Sequence, residues 1–245
     1  MKIAVVCPYY PWPPSVGGVE TIVRSVSIEL ARRGHEVHVI ITPFDVTTMK
    51  QVSDYGIEER DDVIVHKLKP GKIRVGYARI LRGLKETIQR IRPEIVHEHS
   101  LHPHLFQLAS WKNSLGYKLL AELHHPAIEP DFLVQRLAMP FALMWLKHIS
   151  QTIDRFIAHT QLERGWLISI GIPGDKATIV RFPAIPSELV SLETSSITLG
   201  DVTYLGRIVY RKGLHVLLKA LGVVRKKFSE VRANIAGPAD PNYLE

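Results

Sequence analysis

Apolar residues first occur as an unbroken block, Ile3-Ala4-Val5-Val6-Cys7, closed by Pro8. A run that does not alternate with polar positions predicts a strand buried on both faces of a parallel sheet. Beyond a loop rich in Pro and Gly the period changes. Val19, Ile22, Val23, Val26 and Leu30 recur at three- and four-residue spacing, and Gly34 stops the run where a helix C-cap belongs. Glu36–Ile41 returns to a strand pattern. The alternation continues with strands expected at Val63–Leu68, Ile95–His99, Lys118–His124, Phe156–His159 and Ala177–Phe182. Between them, helices are expected over about 76–91, 103–114, 131–151 and 161–170. Strands and helices in strict succession predict an α/β fold, a doubly wound, mostly parallel Rossmann-like sheet with helices on both faces.

Two prolines, several Ser and Thr and no helical period place a boundary in residues 183–200, giving a first domain of residues 1–190 and a second of 200–245. In the second, Val202–Leu205, Gly213–Phe228 and Val231–Ala236 read as one βαβ unit. One such unit cannot close a stable sheet, so the second Rossmann-like domain is expected to be truncated as written.

Composition narrows the class. At 245 residues, 46% apolar and 22% charged, the chain is neither disordered nor a disulfide-stapled miniature. Its single cysteine cannot form an internal bridge, and the apolar stretch before the first prolines is too short for a signal peptide, which predicts a reducing, cytoplasmic setting. The longest dense apolar stretch, Leu137 to Leu146, is broken by Pro140 and falls well short of the roughly 20 residues of a spanning helix. The formal charge of +7 favours phosphorylated ligands, nucleic acid or an anionic membrane surface. Its densest basic stretch, Lys67 to Arg92, runs beside an apolar stripe of Ile80, Leu81, Leu84, Ile88 and Ile91, the expected sheet-packing face of a crossover helix. Interleaved aromatics are scarce there, so no nucleic-acid partner is expected.

Four places carry candidate chemistry. Gly17 and Gly18 precede the first helix without the GxGxxG spacing of a dinucleotide fold, yet they let backbone N–H groups approach an anion at the helix N-terminus. His97, His99, His102, His104, His124 and His125 gather at two strand ends and the loops after them. On a strand His97 and His99 share one face and Glu98 takes the other. No carboxylate stands at an obvious ligand spacing, Asp131 being seven residues past His124, so no metal is expected and the histidines are read as polar residues lining a cleft at strand C-termini. Arg207 and Lys212 bracket the turn from strand to helix in the second domain, where two cations can converge on phosphates.

Taken together, these stretches resemble the GT-B glycosyltransferases, specifically the large retaining group called family 4. The resemblance rests on the opening MKIAVVCPYYPWPPSVGGVETIVRSVSIELARRGHEVHVI, then PEIVHEHS, LLAELHH, DRFIAHTQLERGWLISIGIPGDKATIV and YLGRIVYRKGLHVLLKAL with ANIAGPADPNYLE, in that order. It implies transfer of a hexose-type unit from a nucleotide diphosphate sugar to a hydroxyl, with retention and without a metal or other cofactor. By resemblance Gly17 and Gly18 lie near acceptor and donor phosphates, His124 faces the reacting sugar, and Arg207 and Lys212 hold the diphosphate. Phe182-Pro183-Ala184-Ile185-Pro186 departs from the family's usual Pro-Asn-Gly-Val-Asp at the domain junction. The family's second domain also carries a Gly-rich turn and paired glutamates that have no counterpart before Glu245, so this chain is expected to be inactive alone. Further expectations are a lipid-linked or anionic acceptor, peripheral contact with the inner face of a membrane, and self-association through the second domain. Two rival classes are a metal-dependent hydrolase built on the histidines and a non-catalytic, truncated binding protein.

Overall fold

A computed structural model describes residues 1–13, 17–45, 49–75, 78–124, 133–181 and 201–239. The chain divides into two compact units, Met1–Phe182 and Pro183–Glu245. In the first, strands β1 (Lys2–Val6), β2 (Glu36–Ile41), β3 (Gly56–Arg60), β4 (Val63–Lys67), β7 (Ile95–His99), β8 (Lys118–Glu122), β9 (Arg155–Ala158) and β10 (Ala177–Ile179) form one sheet in the order β10-β9-β8-β7-β1-β2-β4-β3. Strands β5 (Pro70–Val75) and β6 (Ala78–Leu81) make a separate hairpin. Every pairing in the large sheet is parallel except β3 with β4. The helices are α1 (Gly18–Arg32), α2 (Leu84–Ile91), α3 (Pro103–Leu115), α4 (Leu133–Ile149) and α5 (Gln161–Ser169).

The apolar block at the chain start is the centre of this sheet, and its alternate residues feed two cores. Ile3, Val5 and Cys7 pack with Val23 of α1 and with Val37, Val39 and Val65. Ala4 and Val6 belong to the opposite cluster, with Ile88 of α2, Leu105 and Leu108 of α3, and Phe156. A helix layer on each face leaves β1 no polar side, so its lack of alternation follows directly. Each fully buried Val, Leu or Ile contributes about 1.5–3 kcal/mol.

Two expectations need correction, and one strand was not expected. Residues 76–91 are not one helix: Leu81 pairs with Pro70 in the β5–β6 hairpin, Gly83 sits at φ +81°, and the helix begins only at Leu84. Ile80 and Leu81 continue the spacing of Leu84 and Ile88 by coincidence, and a left-handed glycine ends what would have been the first turn. The remaining stripe, Leu84, Thr87, Ile88 and Ile91, is the buried face of α2. A polar edge strand, β3, had no apolar run to betray it; it hangs on β4 through a two-residue turn, Asp61-Asp62, with both residues at positive φ as a type I′ turn requires. Finally, β8 ends at Glu122, and His124 lies beyond it at φ +56°.

The second unit, among its described residues, holds strands β11 (Asp201–Leu205) and β12 (Arg232–Ala236) in parallel, joined by a 3-10 turn (Tyr210–Lys212) and helix α6 (Leu214–Val224). Leu214 is buried, whereas Leu205, Val216, Val223 and Phe228 are exposed. No described helix in either unit is long and apolar enough to cross a membrane.

Near the far side of the sheet, His38 Nδ1 lies 2.9 Å from His66 Nε2, and His38 Nε2 lies 2.9 Å from Glu36 Oε1. Burial, then the neighbouring His38 and Arg90, pushes His66 down to about 4. A histidine neutral in the fold but basic when unfolded takes up a proton on unfolding, so stability rises with pH wherever the unfolded chain binds more protons. Its contribution is therefore complete above about pH 6.5 and drains away as pH falls toward 4. We expect the urea midpoint, followed by circular dichroism, to fall across that window and His66→Gln to flatten the fall; an identical slope in the variant would refute the assignment.

Candidate active site

Register places the site. His99 of β7 is opposite Glu122 of β8, and Glu122 is opposite Ile157 of β9. Residues two apart on a strand share a face. His97 therefore joins His99, and His159, two past Ile157, comes round to the same side as Glu122. Helix α5 fixes that last residue: Thr160 and Glu163 form a capping box, and the His159 backbone N–H donates to the Glu163 carboxylate.

The side chains converge on one carboxylate. Glu122 Oε1 lies 2.9 Å from His124 Nε2, 2.9 Å from His159 Nε2 and 3.5 Å from His99 Nδ1. Its Oε2 lies 3.1 Å from His97 Nε2. His99 Nδ1 and His124 Nε2 are 3.1 Å apart, and the rings of His99, His124 and His159 stack in sequence with centroids 5.3 and 5.4 Å apart. Two candidate metal-holding groups share this carboxylate, His97–His99–Glu122 and Glu122–His124–His159, each with ligand atoms within 4.8 Å of one another. A carboxylate does stand among the histidines, contrary to the expectation from spacing, because β7 and β8 are neighbours in the sheet and not in the chain.

Electrostatics follow from burial. Burial alone would raise the Glu122 carboxyl, but hydrogen bonds from His124, His97 and His99 outweigh it and hold the group well below the usual carboxylate range. Burial, reinforced by the charge on His97 and opposed by the Glu122 hydrogen bond, pushes His99 down to about 3. His159 sits between two acceptors, Glu122 Oε1 and, 2.8 Å from its Nδ1, the Val180 carbonyl. The Val180 carbonyl can only accept, so Nδ1 of that ring donates to it and Nε2 is the nitrogen turned to the carboxylate.

Glu98, on the other face of β7, is wholly buried with His104 Nδ1 3.4 Å from its Oε1. Burial pushes its carboxyl up, the His104 hydrogen bond opposing. Two glutamates on adjacent strands thus have carboxyls pushed in opposite directions, because Glu122 meets several histidines and Glu98 only one.

The six predicted histidines therefore part company. His97, His99 and His124 meet; His102 and His104 stack on each other at the start of α3, the latter turned to Glu98; His125 lies outside the described residues. Sequence reasoning missed Glu122 and His159. The first reads as a polar interruption in LLAEL, and the second stands 35 positions after His124; strand register is the signal that unites them.

Gly17 is the N-cap of α1 with extended backbone, and a Cβ on Gly18 would meet nothing within 4 Å. The backbone at Gly17 is one that any residue adopts, and the space at Gly18 does not demand glycine. In the second unit Arg207 follows β11, half-buried, and Lys212 is exposed at the end of the 3-10 turn, just before Gly213 at φ +71°. Neither has an ion-pair partner among the described residues. The loop that carries them is held where two backbones touch: Gly206 N–H donates to Ala236 O at 3.0 Å and Ile208 N–H to Pro238 O at 2.8 Å.

The Glycosyltransferase Family 4 model matches residues 16–181. Sequence comparison with curated proteins gives no match. Among solved structures, HepE from Anabaena in complex with UDP and glucose is similar at 16% identity and a TM-score of 0.65, covering 100% of this chain and 63% of that one. The catalytic domain of starch synthase IV from Arabidopsis thaliana, bound to ADP and acarbose, is similar at 13% identity and 0.57, covering 99% and 69%. UDP-N-acetylglucosamine 2-epimerase from Rickettsia bellii is similar at 12% identity and 0.54, covering 100% and 63%. At such identities the likeness is one of fold, and this chain spans less than two thirds of the length of HepE.

A methyl group on Gly237, at φ +145°, would lie 1.9 Å from the Gly206 carbonyl oxygen, a distance no side chain tolerates. Gly237→Ala should therefore force β11 and β12 apart and speed hydrogen exchange at the Gly206 and Ile208 amides by about tenfold or more. Unchanged protection would show that the loop bearing Arg207 does not depend on this contact.

Proposed function

The chain belongs to glycosyltransferase family 4, and from that premise we propose that it serves a retaining transfer of a hexose-type unit from a nucleotide diphosphate sugar to a hydroxyl. The observation that carries the proposal is the histidine–glutamate rim at the C-terminal ends of β7, β8 and β9, the edge where open parallel sheets hold ligands. In the proposed reaction the bond from the sugar's anomeric carbon to the diphosphate oxygen breaks. A bond to the acceptor oxygen forms, and the hydroxyl proton passes to the departing diphosphate. Arg207 and Lys212 neutralise the charge that develops there, so the leaving group requires no metal or other cofactor. Gly17 and Gly18 leave backbone amides open beside acceptor and donor phosphates, His124 faces the reacting sugar, and His97 and His99 line the cleft.

The proposed setting is the cytoplasm, at the inner face of a membrane, with a lipid-linked or anionic acceptor. Supporting this, α4 exposes Leu137, Phe141, Met144 and Trp145 at helical spacing beside the exposed Lys147 and His148, and the chain carries a +7 charge. The apolar residues left exposed on the second unit support self-association there.

In a chain supplied with a complete donor-side domain, Lys212→Ala should weaken binding of UDP or ADP by roughly 1.5–3 kcal/mol in calorimetry, the scale of a charge-assisted contact. Unchanged affinity would remove Lys212 from the diphosphate site. The 245-residue chain assayed alone against a panel of nucleotide sugars should show no measurable transfer and a solution mass above that of a monomer, since one βαβ unit cannot enclose a donor. Robust transfer by a monomer would overturn that, and interconversion of UDP-N-acetylglucosamine without transfer would favour an epimerase, a class that shares this fold.

A further inference from the structure

We infer that the rim cluster is a binding site for one divalent transition-metal ion of the zinc class, held by Glu122 Oε1, His124 Nε2 and His159 Nε2, with His99 Nδ1 as the fourth ligand. The inference goes beyond the proposed sugar transfer and stands whether or not the chain catalyses it; with the ion bound, His124 and His99 serve as its ligands and are not free for the sugar.

Donor spacing carries the first part of the argument. Four-coordinate zinc with bonds of about 2.0–2.1 Å separates its ligand atoms by about 3.3 Å. Here the separations are 2.9 Å from Glu122 Oε1 to each of His124 Nε2 and His159 Nε2, 3.5 Å to His99 Nδ1, and 3.1 Å between His99 Nδ1 and His124 Nε2. These four separations lie within a few tenths of an ångström of that value, and the ligand atoms of Glu122, His124 and His159 all lie within 4.8 Å of one another.

Orientation carries the second. The Nδ1 of His159 donates to the Val180 carbonyl, which fixes the tautomer and aims the Nε2 lone pair at the cluster, as outer hydrogen bonds do for ligating histidines. His97 Nε2, 3.1 Å from Glu122 Oε2, occupies the corresponding outer place for the carboxylate and leaves Oε1 to the ion. Three ring nitrogens, those of His124, His159 and His99, crowd one carboxylate oxygen, the arrangement a shared cation would draw together.

The donor set decides the ion. Three imidazole nitrogens and one carboxylate oxygen suit Zn²⁺, Co²⁺ or Ni²⁺, whereas Mg²⁺ and Ca²⁺ want oxygen throughout. The other buried pair, His38 and His66, offers only two rings, and its carboxylate, Glu36, is tied to Lys2 at 2.9 Å.

The test uses the 245-residue chain without an affinity tag, stripped by a chelator and titrated with Co²⁺ and then Zn²⁺ at pH 7.5, circular dichroism confirming the fold. We expect one equivalent of Co²⁺ with the intense visible bands of four-coordination, displaced by Zn²⁺ with a dissociation constant of about micromolar or tighter. Glu122→Gln combined with His159→Gln should weaken Zn²⁺ at least about a hundredfold, while His38→Gln with His66→Gln leaves it unchanged. Should the first variant fail to fold, His124→Gly, which relieves a left-handed backbone, replaces it and should show the same loss. No visible bands, pale six-coordinate bands alone, or equal affinity in wild-type and rim variants would overturn the inference.

Discussion

A parallel hydrogen-bond ladder runs through seven strands of the first unit, and the remainder of the site depends on it. Parallel neighbours must each be entered from the same end, so each of these seven strands leaves the sheet along one rim. That constraint brings residues 97, 99, 122, 124 and 159 together although no two of the contributing strands are joined by fewer than eighteen residues. It also demands a helix between strands, which covers both faces and lets the central strand be wholly apolar.

The ladder delivers a carboxylate to a place with little water, and that group shapes its surroundings. Removing Glu122 from solvent would cost several kcal/mol if it stood unpaired. Imidazoles are well suited to compensate it, because each can donate, accept or take a charge according to its other neighbour. The differences among them follow from those neighbours. His159 leans on a backbone carbonyl, His99 is stripped of solvent and kept neutral, and His97 reaches the oxygen the others leave. Glu98, one residue and one face away, meets a single histidine and is pushed in the opposite direction.

Local patterns made most of the fold legible. Blocks such as Ile3–Cys7 and Ile95–His99 declare buried strands, and Val19–Leu30 declares a helix, because each signal is complete within one turn or one pleat. Failures came where the deciding contact is distant in sequence. Leu81 looks helical until its pairing with Pro70 is known, and β3 is a polar edge whose only partner is the next strand. The site divides in the same way. Clustered histidines announced themselves, whereas Glu122 and His159 required knowledge of which strands are adjacent. Arg207 and Lys212 were legible as positions around a turn, and the structure adds the glycine contact that fixes their loop.

One consequence of the rim concerns inheritance. The site's side chains are rooted in β7 and β8 or within two residues beyond β8 and β9, and among the described residues the connections past β7 and β9 are short loops into α3 and α5. Insertions in those loops need not disturb the ladder or the two cores beneath it. Lineages descended from such a chain can therefore remodel what enters the cleft by lengthening or exchanging loops, one at a time, without first surrendering a foldable scaffold. Variation among descendants should accordingly be densest just beyond the strand ends and sparsest in the apolar blocks that precede them.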